Sequence, residues 1–313
     1  MPSYRNSAFA VITAIITTGP ARAWGCAGHH VVALIAKQHL NARALAATGE
    51  LLEAQPIDPN LARYCKDEGA DPFVSAATWA DDTKRAEGTG TWHYIDVPRS
   101  LTHGDLGPYC KPVSPLQGDS RTGCILSAIR DQLGVLKNGS PQDRSRALRY
   151  VIHLVADLHQ PLHVTDNSDR GGNCVPLQFG TSSATTNLHA LWDSGILEAS
   201  LLERRLTQDA FARQLDSRYR DSFQQETSRN LDLDRWVWEV HEVGVRITYG
   251  ELQPKVPVEA SSAPGDCAAE SAKVLALRIV IEKNYERTAM ERIESLLARA
   301  GYRLAELLNQ IWP

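Results

Sequence analysis

The residues best suited to chemistry are histidines and aspartates that recur at helical spacing. The densest run is Tyr150-Val-Ile-His-Leu-Val-Ala-Asp-Leu-His-Gln-Pro-Leu-His163. His153 and Asp157 stand four residues apart, so a helix brings both to one face. Their neighbours Val151, Ile152, Leu154, Val155 and Leu158 are apolar all round, which predicts a buried helix. A buried carboxylate needs a partner. Pro161 ends that helix, because the residue before a proline disfavours the α region, and the turn brings His163 back toward the pair. His159 falls about 200° round the helical wheel from Asp157 and is expected to face away. Asn187-Leu-His-Ala-Leu-Trp-Asp193 repeats the device with His189 and Asp193. Either run alone is equally satisfied by hydrogen-bonded core histidines at a helix end. Two copies on apolar helices point instead to metal, since neutral imidazole with carboxylate is the ligand set of zinc at hydrolytic sites.

Three further runs are weaker individually. Thr78-Trp-Ala-Asp-Asp-Thr-Lys84 places Asp81 and Asp82 on a helix, with Lys84 three residues beyond Asp81. Trp92-His-Tyr-Ile-Asp96 reads as strand, with His93 and Ile95 on one face and Tyr94 and Asp96 on the other. Trp24-Gly-Cys-Ala-Gly-His-His30 puts His29 at the start of an apolar helix. There is no G-x-x-x-x-G-K-[ST] phosphate loop, no G-x-G-x-x-G and no G-x-S-x-G.

The elements that must hold these residues are mostly helical. Apolar periodicity predicts helices at 28–40, 42–54 (capped by Asn41), 72–84, 125–136 and 145–158. Others follow near 187–204, 207–217, 232–248, 268–284 and 287–311. Strand character is confined to 91–97 and 175–179. Gly-, Pro- and Ser-rich stretches at 105–122, 166–173 and 250–266 read as loops. With no repeat and no composition break, the expectation is one all-α domain with minor short strands.

The first residues do not belong to that domain. Arg5 precedes an apolar run, Ala8 to Ile16, and Ala21-Arg22-Ala23 is a small-x-small cleavage site. This is the plan of a secretory signal peptide, and the run is too short to span a bilayer. Residues 1–23 are therefore expected to be removed, leaving a domain over 24–313 with Trp24 as its free amino terminus. An α-amino nitrogen together with its own carbonyl oxygen can chelate a metal close to His29. Six cysteines without a C-x-x-C pair fit export and disulfides, with Cys110–Cys124 the most local pairing. The length of 313 residues, 43% hydrophobic and 22% charged, excludes a disordered or fibrous chain. The net charge of −4 becomes −6 once two N-terminal arginines are lost, which disfavours a basic nucleic-acid groove. Nucleic acid as a substrate stays open, because bound metal can supply the missing positive charge.

Taken together, W-G-x-x-G-H at 24–29, W-A-D at 79–81, H-[YF]-I-D at 93–96, H-x-x-x-D-x-x-Q-P-x-H at 153–163 and N-L-H-x-x-W-D at 187–193 resemble the S-one/P-one nuclease family. These are exported zinc-dependent single-strand nucleases. The motifs run in order over about 170 residues. The resemblance implies a compact multi-helix domain of the phospholipase C and nuclease P-one kind, with a cleft holding three zinc ions per chain. It assigns Trp24 and His29 to one zinc, and Asp81, His93 and His153 to a second. Asp157 bridges those two, and His163, His189 and Asp193 hold the third. Asp81 and Lys84 are implied in catalysis, with Asp81 orienting the attacking water. Tyr94, where the family usually has Phe, and Asp96 are implied in binding a base. The implied reaction is in-line attack by hydroxide on single-stranded DNA or RNA, giving 5′-phosphorylated products, often with 3′-nucleotidase activity. A monomer, free of the membrane once the signal is cleaved, is implied too. A phospholipase C-type phosphodiesterase and a non-catalytic exported zinc-binding protein are the alternatives that these residues leave open.

Overall fold

A computed structural model of the chain describes residues 24–66, 71–117, 120–180, 185–227, 231–252, 256, 267 and 279–313. The expected signal segment, 1–23, lies outside the described residues. At the centre is a long helix whose C-terminal two-thirds is buried. Helices α1 (Cys26–Gln38), α2 (Ala42–Ala54), α3 (Pro72–Ala76), α4 (Trp79–Glu87) and α5 (Ile125–Asn138) lead up to it. The central helix is α6 (Pro141–Leu158), and every residue from Ala147 onward is buried. Ser140 caps its start by accepting from the Asp143 N–H, with Pro141 at the first position. Each Leu, Val or Ile buried there contributes about 1.5–3 kcal/mol, which fixes the helix against rotation.

After α6 come α7 (Leu188–Ala190), a π-helical turn (Leu191–Gly195), α8 (Ile196–Arg204), α9 (Gln208–Thr227), α10 (Leu233–Val243) and α11 (Lys283–Ile311). α5 and α2 pack on α6, and α1 packs on both α11 and α9. Among the described residues, strands form two antiparallel pairs. These are β1 (Ser114–Gln117) with β2 (Ser120–Thr122), and β3 (Pro176–Gln178) with β4 (Thr185–Asn187). The all-α expectation therefore holds. Asn41 caps α2 as expected, accepting from the Ala44 N–H at 2.8 Å. Disulfides join Cys26 to Cys65, Cys110 to Cys124 and Cys174 to Cys267. The first of these anchors the start of α1, next to His29. None of the described helices is long and apolar enough to cross a membrane.

Several expected boundaries are corrected, each for a local reason. The single helix at 72–84 is two, broken at Ala77-Thr78. There the Arg63 guanidinium donates to the Ser75 carbonyl and the Thr78 hydroxyl, and the Ala77 carbonyl accepts from His153. These bonds hold the main chain in place at the break. The strand at 91–97 is a 3₁₀ turn (Gly90–His93) followed by extended chain. Among the described residues it meets another segment only in an isolated bridge at Pro98 and Asp166, while the Ile95 N–H donates to the His163 carbonyl and the Tyr94 carbonyl accepts from Ile125. The in–out alternation survives nevertheless, with Ile95 and Val97 buried and Tyr94 and Asp96 exposed. The helices at 187–204 and 232–248 each contain a π-helical turn, the second at Gly244–Thr248. The helix at 207–217 runs on to Thr227. The loop at 105–122 contains a 3₁₀ turn (Gly107–Tyr109) and the β1–β2 pair. Of the helix at 268–284, residues 268–278 lie outside the described residues. Ile279–Ile281 is extended, its backbone bonded on both sides to Gln178 of β3.

α1 and α11 approach closely at Gly301. A Cβ there would lie 2.7 Å from the Ile35 Cβ and 2.6 Å from its Cγ2. Gly301→Ala is expected to lower stability by about 1–3 kcal/mol through overpacking, read as a lower thermal midpoint.

Candidate metal centre

Eight of the side chains singled out as ligands converge. His29 comes from α1, Asp81 from α4, His93 from the 3₁₀ turn, and His153 and Asp157 from α6. His163 comes from the turn after α6, His189 from α7, and Asp193 from the π turn. Three sets of ligand-type atoms lie within 4.8 Å of one another: His29, Asp81 and His153; His93, His153 and Asp157; and His163, His189 and Asp193. The first two sets share His153 and make one nest around Asp157. His29 thus lies with the Asp81 set as well as beside Asp157. Trp24 is fully buried just before α1. The Gly25 N–H donates to the Asp193 carbonyl at 2.8 Å, so the main chain at Trp24 runs beside the third set.

Asp157 has no exposed surface. One oxygen lies 2.8 Å from His93 Nδ1 and 3.0 Å from His153 Nε2, and the other lies 3.3 Å from His29 Nε2. Asp81 stands at the margin, 3.8 Å from His93 Nδ1, 3.9 Å from His153 Nε2 and 2.9 Å from the Lys84 ammonium. In the third set, His189 Nε2 is 3.4 Å from Asp193 Oδ2 and His163 Nε2 is 4.0 Å from Asp193 Oδ1. Two donors each about 2.0–2.1 Å from one tetrahedral ion stand about 3.4 Å apart, so these spacings suit a single small cation.

For three of the histidines the protonation pattern follows from the second ring nitrogen. His153 Nδ1 donates to the Ala77 carbonyl, His163 Nδ1 to the His93 carbonyl, and His189 Nδ1 to the Gly171 carbonyl. A carbonyl can only accept, so each Nδ1 carries hydrogen and each Nε2 faces the cluster. Burial and the neighbouring His153 push His29 down to about 4, and burial with His163 pushes His189 down to about 3. Burial also lowers His93 and His163. These rings are neutral near pH 7, the form that ligates metal. At His153 burial is outweighed by the charge and hydrogen bond of Asp157, which raise it to about 9. Burial would raise Asp157 and Asp81, but the field of His153 overrides it and holds both well below the usual carboxylate range. Asp193 has no comparable partner, and burial pushes its carboxyl well above that range.

A cation fits this donor set on a direct observation. Both ring nitrogens of His29, Nε2 of His93 and His163, Oδ1 of Asp157 and Oδ2 of Asp193 are buried with no hydrogen-bond partner. Orphaned polar atoms normally cost about 1–3 kcal/mol each, and a bound cation would give such atoms a partner.

The remaining expected site residues lie at the rim. Lys84 is partly exposed and paired with Asp81. Tyr94 is exposed, and Asp96 projects on the same side. Partial enclosure and the nearby Asp166 carboxylate raise Asp96 to about 6. His159 faces away as expected, donating to the Val155 carbonyl and accepting from Arg303. Sequence reasoning gave no role to Gln160, which donates to Asp193 at 2.5 Å, or to the Ala77 and Gly171 carbonyls. The signal for Gln160 was there: a polar side chain inside an otherwise apolar and histidine-bearing run.

Fold and donors together define a helical protein built around a cluster of candidate metal sites. The S1/P1 Nuclease family profile matches residues 24–313, and the chain belongs to that family. Among similar proteins, Endonuclease 2 of Arabidopsis thaliana is 32% identical over 181 residues, 56% of this chain and 57% of that protein. Nuclease S1 of Aspergillus oryzae is 30% identical over 56% of this chain and 55% of its own length. Nuclease P1 of Penicillium citrinum is 27% identical over 55% of this chain and 57% of its own. The aligned stretch thus spans a little over half the length of these relatives.

A cation that binds only the folded cluster must stabilise it by mass action, by about 2.7 kcal/mol per site at 100 times the dissociation constant. Adding zinc to metal-free protein should raise the thermal midpoint, and a chelator should reverse the rise. An unchanged midpoint would mean that the cluster does not hold metal.

Proposed function

We propose that this chain is an exported, zinc-dependent phosphodiesterase that cuts single-stranded DNA and RNA and leaves 5′-phosphorylated products. The convergence of orphaned, buried imidazole and carboxylate atoms carries this reading. Trp24, His29, Asp81, His93, His153, Asp157, His163, His189 and Asp193 would hold three zinc ions. Trp24 joins them through its amine and carbonyl oxygen after removal of 1–23. The family profile beginning at residue 24 supports that cut, and three disulfides support export.

Zinc, when bound, supplies Lewis-acid charge at the phosphoryl oxygens and brings the pKa of water down to about 7. Asp81 would accept a hydrogen bond from the attacking water and aim it. Lys84, held 2.9 Å from Asp81, brings an ammonium to the rim, where it adds positive charge beside the phosphate. Tyr94 offers an exposed ring on which a base stacks, worth about 1–3 kcal/mol and tolerant of sequence. Asp96 accepts from base N–H groups. A stacked, splayed base explains a preference for single strands, because a duplex must first unstack.

The decisive experiment sets the zinc-loaded protein against single-stranded DNA, duplex DNA and phosphatidylcholine. Single-stranded DNA should be cut fastest, to products with 5′-phosphates. Turnover of lipid without turnover of nucleic acid would overturn the proposal. Asp157→Asn should lose two of three zincs and nearly all activity; full activity in that variant would remove its bridging role.

The Asp96 proposal makes a pH-dependent claim. Its carboxyl, facing Asp166 and the Tyr94 hydroxyl, is ionised above about 6 and protonated below. Protonation removes one acceptor for base N–H groups, so KM should rise as pH falls from 7 to 5. A hydrogen bond to a charged group contributes about 1.5–3 kcal/mol, so Asp96→Asn should raise KM about 10-fold or more at pH 7. The variant's KM should also be flat over that interval. A wild-type KM without this rise would exclude the role.

A further inference from the structure

We infer that Gln160 is a positioning residue that makes the third metal site, by tying its aspartate to the turn that carries one of its histidines. The inference rests on the zinc assignment proposed above. Gln160 is fully buried between α6 and the short 3₁₀ turn Pro161–His163. Its Oε1 accepts from the Leu162 N–H at 2.5 Å, and its Nε2 donates to Asp193 Oδ1 at 2.5 Å. Its backbone is held as well: its N–H donates to the Asp157 carbonyl, and its carbonyl accepts from the His163 N–H, both at 2.9 Å.

The amide has a fixed polarity here. Leu162 can only donate, so Oε1 must face it, and the NH₂ group is left for Asp193. The NH₂ group takes up Oδ1 and leaves Oδ2, which has no hydrogen-bond partner, beside His189 Nε2. One side chain thus sets the orientation of Asp193 while capping the turn that holds His163. His163 and Asp193 are 30 residues apart and on different elements. In the nest around Asp157 the carboxylates are met by imidazoles and Lys84, so removing Gln160 should spare it.

The test counts zinc and measures its affinity in competition with a chromophoric chelator, independently of activity. Gln160→Met keeps the volume and loses both hydrogen bonds. Gln160→Glu keeps an acceptor for Leu162, and so the turn, but sets a second carboxyl against Asp193. Outer hydrogen-bond partners of ligands typically contribute 10–100-fold to metal affinity. Both variants should bind two zincs as wild type does and the third about 10–100-fold more weakly. In an Asp193→Asn background, adding Gln160→Met should cost less than it does in the wild type, because the part of its effect that runs through Asp193 is already gone. A folded variant that keeps the third zinc at wild-type affinity would overturn the inference, as would equal weakening of all three. If Gln160→Met fails to fold, Gln160→Glu decides. Fewer than three zincs in the wild type would instead refute the metal assignment itself, and the inference with it.

Discussion

A carboxylate with no exposed surface sets the terms for everything around it. Asp157 sits on a helix buried on all sides, where an uncompensated charge would cost several kcal/mol. The compensation comes from imidazoles on three separate elements: α1, the 3₁₀ turn at His93, and α6 itself. Each must be brought within about 3 Å by the packing of its own element. The Cys26–Cys65 disulfide, the close α1–α11 contact at Gly301 and the cap of α6 all serve that end. A proton on His153 meets part of the charge, which is why that ring alone among the five is raised. Metal binding releases such protons, so the proton and a cation compete for the same electrostatic role.

The histidines are aimed by main-chain carbonyls that regular structure would have consumed. Ala77 lies in the break between α3 and α4, and His93 ends a 3₁₀ turn. Gly171 has φ +58, and a Cβ there would stand 2.4 Å from the Leu162 carbonyl oxygen. Each break frees one acceptor, and each acceptor fixes one ring so that Nε2 faces inward. The π turn at Leu191–Gly195 belongs to the same pattern, since it carries Asp193. At Ala77, His93, Gly171 and Asp193, a departure from regular helix or strand carries or orients a donor.

This explains what the sequence made legible. Helical spacing exposes pairs four apart, so His153 with Asp157 and His189 with Asp193 could be read directly, as could the apolar flanks that bury them. The turn at Pro161 that returns His163 followed from the restriction proline places on its neighbour. The Cys110–Cys124 pairing and the Asn41 cap were local enough to infer. The helix break at Ala77 was not, because it depends on Arg63 and His153, which are distant in sequence. The 3₁₀ turn at His93 was mistaken for strand because burial alternates there without any partner strand. Gln160 went without a role because its contact with Asp193 spans two elements and leaves no periodic trace. Local spacing reveals which residues ligate, whereas the groups that orient them come from elsewhere in the chain.

The charge of the molecule then takes on a different meaning. A chain of −4, more acidic still without its first residues, is a poor attractor of phosphate by its side chains. Within the cluster, however, the donors are five imidazoles, four held neutral by burial, and three carboxylates. Three divalent ions on the proposed assignment outweigh those carboxylates and leave the centre net positive, with Lys84 adding to it at the rim. Neutral ligands are what make this possible: carboxylates in their place would cancel the ions they bind. The use of histidine among the donors, and the burial that keeps four of the five rings unprotonated, therefore let an acidic protein present positive charge where an anionic substrate would have to sit.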